Sequence, residues 1–518
     1  MRNQRFLLPV IVILALTLRI IALGERNFWY DEAFSAIFAQ QGIPAMVEST
    51  IVPDETTQAP EIHPLLYYIT LNGWMAVFGT SAFAVRLWSA VIGAATVYAV
   101  FLATRELFDQ RTGMIAALIT AIAPFHIQYS QEARMYALMG LLLVLATWAF
   151  IRAYRSSETR IAWRWWIGFG IFAGLAMHTQ QLSAFYLAAL GVIPFAARSR
   201  ARIFGTIAGT ITALFLYLPW ILVAFAQFQR VTSNYWIPVP NAARLLLTLR
   251  SLLIVNLDIP APGSLIGLAI ALLLLIFLIV QVLIRRKRQS VSERAALYFA
   301  LWMFAAPILG LWAFSQVRPL YIDRALIGSA LMLYIAFAWL ITKAKLPRPI
   351  LIGIVALIFA ASAIGLSTHY SWAIFPNSPY RQAVSTIWSQ YQISDVVIHQ
   401  DKTSALPSMF YAPEMDQRYL RDEPGAADDT LSLTAQRTLG AVAVECVQQA
   451  ASRADRVWWV TFSFTADQYA AAGVNTYQQA IDWLDANFAT AFTYHYNDLD
   501  VTLYYNRTTD PTQGECAP

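Results

Sequence analysis

Two adjacent carboxylates, Asp31 and Glu32, stand among aromatic residues in the stretch Asn27-Phe28-Trp29-Tyr30-Asp31-Glu32-Ala33. The stretch follows an apolar run, Phe6 to Leu23, that opens with the basic residues Arg2 and Arg5. A carboxylate at a membrane boundary is costly unless solvated or paired, which makes such a residue a candidate for function. If Asn27 caps a helix, both carboxylates fall in its first turn, where the helix dipole favours their ionised form. Successive helical side chains point about 100° apart. One carboxylate can then face a substrate as a general base while the other orients it or meets a cation. The plain alternative is an acidic helix start at a water interface.

Further along the chain, groups of complementary chemistry recur. They are Glu61-Ile62-His63-Pro64-Leu65-Leu66-Tyr67-Tyr68, then Arg86, then Ser130-Gln131-Glu132-Ala133-Arg134-Met135-Tyr136, and finally Arg318 with Tyr321-Ile322-Asp323-Arg324. An arginine presents a fork of donors matched to phosphate oxygens. Two or three of them at an interface can hold an anionic headgroup whose tail stays in lipid. Each arginine taken alone has a plainer reading, snorkelling or pairing with a nearby carboxylate. Glu132 and Arg134 can equally form a structural network with each other. His178 reads as a hydrogen-bonded turn residue, and Arg19 as a structurally paired residue near the outer end of the first helix.

The elements that must position these groups are membrane helices. Hydrophobic residues make up 58% of the chain and charged residues only 13%, about half the charged share of a soluble domain. Several runs reach the roughly 20 residues needed to cross a bilayer; Gly263 to Ile284 is the cleanest. Taking basic flanks as cytoplasmic gives about eleven spans: 6–23, 82–104, 112–127, 136–151, 165–181, 183–197, 203–224, 263–284, 295–314, 325–342 and 349–367. The first is read as a retained anchor, since no small-residue cleavage site follows it. The N-terminus is then inside, and residues 24–80, which hold Asp31, form the first outer loop. Residues 64–79 are too short and too broken by Pro64, Gly73 and Gly79 to span, and read as an interfacial helix beside the Asp31 stretch.

Charge divides the chain in two. Residues 1–369 carry 28 Lys/Arg against 14 Asp/Glu, and residues 370–518 carry 8 against 17. Opposite balances in one chain suggest two compartments, so the sequence divides into a membrane module, 1–369, and an extracytoplasmic domain, 370–518. The only basic run, Arg285-Arg286-Lys287-Arg288, abuts an apolar helix and reads as a cytoplasmic flank, not as a nucleic-acid site. In the tail, Ser378-Pro379 opens a helix, Asp395 to His399 and Val457 to Phe464 read as strands, and Phe492 to Tyr496 with Val501 to Tyr505 read as a hairpin. Cys446 and Cys516 could form one disulfide outside the cytoplasm or remain thiols. No CxxC or His/Cys cluster suggests a metal site, and no cofactor is called for.

Four of these motifs, Trp29-Tyr30-Asp31-Glu32-Ala33, His63-Pro64-Leu65-Leu66-Tyr67-Tyr68, Ala84-Val85-Arg86-Leu87 and Ser130-Gln131-Glu132-Ala133-Arg134-Met135-Tyr136, in this order, resemble the polyprenyl-phosphate-sugar glycosyltransferases of the GT-C fold. That group includes the protein O-mannosyltransferases and the lipid A aminoarabinose transferase. The resemblance covers roughly residues 1–200; Leu65 replaces a second proline common in the group, and the tail does not look like an inserted β-trefoil. It implies a multi-span α-helical membrane protein with a small C-terminal extracytoplasmic α/β domain. It further implies a polyprenyl-phosphate sugar donor and an acceptor hydroxyl on a protein, lipid or glycan, with transfer by inversion at the outer face. Asp31 would be the general base and Glu32 its helper. Arg86, Arg134 and Arg324 would hold the donor phosphate, and His63, Tyr67, Tyr68, Glu132, Tyr136 and Asp323 would line the pocket, with no metal required. The competing classes are a transporter or flippase of lipid-linked sugars, for which no internal repeat is found, and a membrane anchor without chemistry of its own.

Overall fold

The computed structural model describes the chain except residues 1–3, 52–62, 157–158, 197–198, 231–236, 372–376, 423–430, 510–515 and 517–518; Glu61 and Ile62 of the second motif therefore lie outside the described residues. The chain opens with α1 (Gln4–Ile20), α2 (Tyr30–Gln40), α3 (Gly42–Ile51), α4 (Leu66–Phe78), α5 (Ala82–Leu107), α6 (Gln110–Ile122), α7 (Pro124–Ser130) and α8 (Tyr136–Arg155). It continues through α9 (Thr159–Met177), α10 (Ser183–Gly191), the single turn α11 (Ile193–Ala196), α12 (Arg200–Arg230), α13 (Ala242–Leu253), α14 (Gly263–Arg285) and α15 (Val291–Phe314). A 3-10 turn, Asp323–Leu326, leads into α16 (Ile327–Lys343), and α17 (Arg348–Ser371) completes the helical part.

Local chemistry sets several of these starts. Ser81, Asp109 and Ser290 accept hydrogen bonds from the backbone N–H three residues on, capping α5, α6 and α15. Pro124 has no N–H to continue the α6 ladder, and there the axis turns by 62° into α7. Helix α16 is buried on every side from Ile327 to Leu340, as expected of a helix that is apolar all round; it packs against α6, α8 and α15.

A helix stands at each of the eleven expected spans. Among the described residues seven helices are long and apolar enough to cross a bilayer, eight if the bent α6–α7 pair is one span. The apolar parts of α1 and of α10 with α11, Phe6–Ile20 and Ser183–Phe195, are shorter than the roughly 20 residues a span needs. The chain is an integral membrane protein. Helix α13 falls between the expected spans 203–224 and 263–284, where no helix is expected; it is amphipathic and buries Thr248 to Leu253.

The C-terminal part is a small mixed domain: α18 (Tyr380–Gln390), β1 (Asp395–His399), α19 (Lys402–Tyr411), β2 (Gln417–Tyr419), α20 (Leu433–Leu439), α21 (Val447–Ala450), β3 (Arg456–Phe462), α22 (Thr465–Ala472), α23 (Thr476–Asn487), β4 (Phe488–Tyr496) and β5 (Leu499–Arg507). The sheet order is β2-β1-β3-β5-β4, with β1 parallel to β2 and β3, and β5 antiparallel to β3 and β4. Its two faces cover separate cores, one around Val397, Trp458 and Val460, the other around Val396, Ile398 and Trp459. That is why β1 reads as an unbroken apolar run instead of an alternating one. Cys446 and Cys516 are joined in a disulfide.

This domain sits directly on the helices that carry the Asp31 stretch. Helix α19 packs against α2, and α20 against α2 and α3. The Phe28 and Phe410 rings lie 4.5 Å apart, and the Phe28 N–H donates to the Tyr411 hydroxyl at 2.8 Å. Arg381 of α18 reaches the loop before α2, donating to the carbonyls of Gly24, Glu25 and Arg26 and to Asn27 Oδ1.

Candidate active site

Helix α2 starts at Tyr30, so Asp31 and Glu32 occupy its first turn as expected. The cap differs from expectation. Trp29 takes that position without a side-chain bond, and Asn27, two residues earlier, has its amide oxygen held by Arg381.

The two carboxylates part company at once. Glu32 is fully buried and forms a two-pronged pair with Arg86, Nε to Oε1 at 2.7 Å and Nη2 to Oε2 at 2.6 Å. It also accepts the Ala133 N–H at 2.9 Å. The remaining N–H groups of Arg86 go to the carbonyls of Leu23, Arg26 and Asn27. All five are thus engaged by the protein itself, and this arginine, expected at the donor phosphate, offers none to a ligand in this arrangement. It joins the loop after α1, the first turn of α2 and α5 into one unit. Burial pushes the Glu32 carboxyl upward, but Arg86 and Arg26 outweigh it and keep it below its ordinary value.

Asp31 is 17% exposed and faces two other arginines. Arg134 Nε lies 3.6 Å and Arg324 Nη1 3.3 Å from the same oxygen, Oδ2. Burial raises the Asp31 pKa, and the two guanidinium charges, Arg134 first, reverse that and hold it below the usual carboxylate value. Arg134 also donates to Ser35 Oγ at 3.1 Å and to the Tyr68 hydroxyl at 3.4 Å. The Arg324 guanidinium lies over the Tyr136 ring, 5.3 Å from its centre. His63 is half-buried within electrostatic range of Asp31. Tyr67 is buried and its hydroxyl meets Ser89 at 3.3 Å.

Asp323 is not part of this group. The 3-10 turn sends neighbouring side chains opposite ways. Arg324 goes to Asp31, while Asp323 is buried against α13, with Arg244 on Oδ2 at 3.0 Å and Thr248 on Oδ1 at 2.7 Å. The expectation that Asp323 lines the pocket gives way to a bracing role, because α13, a helix not expected from the sequence, brings Arg244 and Thr248 to it.

Two polar atoms beside the pair are left over. Glu132 Oε2 and the Tyr136 hydroxyl are buried without a hydrogen-bond partner. Burial, and after it the Glu32 charge, push the Glu132 carboxyl up to about 7. Among the described residues no group of three or more His, Cys, Asp or Glu is placed to hold a metal ion. Away from the site, Arg19 is fully buried and engaged by Ser130, Ala15, Ala121, Thr120 and His126, the structural pairing its sequence position suggested. His178 holds the Leu216 carbonyl at 2.9 Å. Arg381, Tyr411 and Arg244, which shape the site from a distance, had no local signal in the sequence.

Comparison with known proteins bears on the fold. Crystal structures of ArnT from Cupriavidus metallidurans superpose over 95% of this chain and 97% of theirs. The apo state gives a TM-score of 0.63 at 10% identity, and the state bound to undecaprenyl phosphate 0.59 at 12%. This is the GT-C fold. The archaeal oligosaccharyltransferase AglB from Archaeoglobus fulgidus, in complex with an inhibitory peptide and a dolichol-phosphate, is more distant, with a TM-score of 0.52 at 13% identity over 90% of this chain and 70% of that one. Residues 62–234 match the family described as dolichyl-phosphate-mannose-protein mannosyltransferase. Two undecaprenyl phosphate-alpha-4-amino-4-deoxy-L-arabinose arabinosyl transferases of Pseudomonas fluorescens, numbered 2 and 1, are 25% and 26% identical over 234 and 181 residues. Those matches cover 43% and 33% of this chain but only 39% and 32% of the relatives. The resemblance of the four motifs to polyprenyl-phosphate-sugar glycosyltransferases is thus met again in fold, family and relatives.

Proposed function

We propose that this protein transfers a hexosyl or pentosyl residue from a polyprenyl-phosphate donor to an acceptor hydroxyl, with Asp31 as the general base. The observation that carries this reading is the shared contact of Arg134 and Arg324 with one oxygen of a partly exposed carboxylate. A base and two cations within one hydrogen-bonded group suit a reaction in which a hydroxyl loses a proton while a phosphate leaves. Asp31 takes the proton as the acceptor oxygen bonds to the anomeric carbon. The bond from that carbon to the phosphate oxygen breaks, and the polyprenyl phosphate departs with the electron pair. Attack opposite the leaving group inverts the anomeric centre. Arg134 and Arg324 take up the charge that grows on the phosphate. Sharing them with the donor also loosens their hold on Asp31, so the carboxylate becomes a stronger base when donor is bound.

In this reading Glu32 and Arg86 are positioning residues that fix the turn carrying Asp31. The orphaned Glu132 Oε2 and Tyr136 hydroxyl face substrate, with His63, Tyr67 and Tyr68 around them. The first relatives' printed names, both sugar transferases using undecaprenyl phosphate, support this over a transporter. We propose the N-terminus in the cytoplasm, with residues 1–369 as the membrane module, Asp31 at the outer face and residues 370–518 as a domain outside. The Cys446–Cys516 disulfide suits an oxidising compartment.

The test is to incubate purified protein with a panel of polyprenyl-phosphate sugars and follow their consumption. Asp31→Asn is expected to lose at least about a thousandfold in transfer, within the combined reach of base catalysis and positioning, while still binding donor. Transfer at the wild-type rate in that variant would remove Asp31 as the base.

A further inference from the structure

Beside the loop that leads to Asp31 lies a cavity of about 500 Å³, lined by Glu25, Asn27, Arg381, Gln382, Ser385 and Thr386. Its volume falls in the range of small-molecule sites, and every residue that lines it has a polar or charged side chain. One wall is the loop after α1; the other is α18 of the C-terminal domain. Asn27 is four residues from Asp31, a reach of at most about 14 Å along the chain.

The chemistry of the walls selects an occupant. Glu25 and Arg381 balance in charge, and Arg381 is already engaged by Gly24, Glu25, Arg26 and Asn27. A phosphate would meet an occupied guanidinium and a repelling carboxylate. A peptide docking by side chains would need apolar pockets, and this cavity has no apolar lining residue. What remains are the Gln382 amide, the Asn27 amide nitrogen, whose oxygen is held by Arg381, and two hydroxyls, Ser385 and Thr386, the second accepting from the Tyr496 hydroxyl; amides and hydroxyls pair with the hydroxyls of a sugar. Ser385 and Gln382 are exposed. Seven residues after Arg381, and so on the same face of α18, Trp388 is 54% exposed with its ring stacked on Tyr391 at 5.9 Å. Trp388 is outside the lining; about one turn beyond Ser385 along α18, it offers an apolar platform to a sugar ring of a ligand that extends past the cavity.

We propose that this groove is a subsite for a neutral saccharide, and, resting on the reaction proposed above, that the saccharide belongs to the acceptor. The C-terminal domain thereby supplies one wall of acceptor recognition while the helical part supplies the chemistry.

The experiment passes neutral oligosaccharides built of arabinose, mannose, galactose or glucose, and phosphate-bearing counterparts of each, over immobilised full-length protein in detergent. Wild-type protein is expected to retain at least one class. Ser385→Trp, which fills the groove from an exposed helical position, should weaken that binding by about tenfold or more. Trp388→Ala should weaken it too and abolish the accompanying change in tryptophan fluorescence. Both variants are first checked for unaltered elution in gel filtration. Retention of no saccharide, retention undiminished by Ser385→Trp, or retention only of phosphate-bearing glycans would each overturn the subsite. Donor consumption is followed separately. Saccharide binding by a protein that consumes no polyprenyl-phosphate sugar would defeat the reaction and leave the subsite standing. Transfer whose acceptor KM is untouched by Ser385→Trp would defeat the subsite and leave the reaction standing.

Discussion

Glu132 is the residue whose surroundings make the sharpest demand. It sits buried beside Glu32 and Asp31 with one oxygen unpartnered, and its carboxyl is pushed up to about 7. Below that pH it is neutral; above it a further negative charge appears next to the group proposed to receive a phosphate. We therefore expect the donor KM of the wild-type protein to rise above about pH 7, and Glu132→Gln to remove that limb of the profile. A KM that rises equally in the variant would clear Glu132 of the effect. The same group bears on stability. Its folded value lies above its ordinary 4.5, so between about 4.5 and 7 the folded chain keeps a proton the unfolded chain has released. Its contribution to stability is present below that window and is lost as pH rises through it. The types of these residues were legible in the sequence, because Asp31, Glu32, Arg86 and Arg134 fall in short ordered motifs. Their division of labour was not. Nothing local distinguishes Asp31, which meets Arg134 and Arg324, from Glu32, which is buried against Arg86; that depends on which arginine each helix delivers.

At the scale of elements, the helices that hold the site meet at close quarters. A side chain added at Gly93 of α5 would come 2.1 Å from Ser130 Oγ and 3.0 Å from Arg19 Nε. Gly93→Ala is expected to destabilise the protein by roughly 1–3 kcal/mol, the usual cost of overpacking, read as a lower thermal unfolding midpoint in detergent. An unchanged midpoint would mean that α1, α5 and α7 can part without loss. Long apolar helices such as α14 and α16 were plain from composition, and so were β1 and the β4–β5 hairpin. Helix α13 was not. Its arginines, Arg244 and Arg250, look like loop residues until Asp323 and Ser264 are seen to receive them. Basic flanks give about eleven spans, where length and apolar composition alone pick out seven or eight helices among the described residues.

At the scale of the whole molecule, the charge division of the sequence corresponds to a helical part and a sheet domain packed on its Asp31 end. The disulfide closes a separation of 70 residues within that domain, worth up to about 4 kcal/mol in the chain-entropy account. Reduction, or Cys446→Ser, should therefore lower the unfolding temperature of the domain. A reductant-insensitive melt would assign the domain's stability to its two apolar cores alone. The clasp on Phe28 has a further consequence, one of timing. Tyr411 follows Phe28 by 383 residues, so a ribosome adding about 5–20 residues per second reaches it on the order of 20–80 s later. Throughout that interval the first turn of α2 already exists in the growing chain while its fastening does not. Arg86, Arg134 and Arg324, the partners of Glu32 and Asp31, are all made before α19, so a nascent chain halted short of α19 has its carboxylates' partners but lacks the clasp that holds Phe28 to the C-terminal domain.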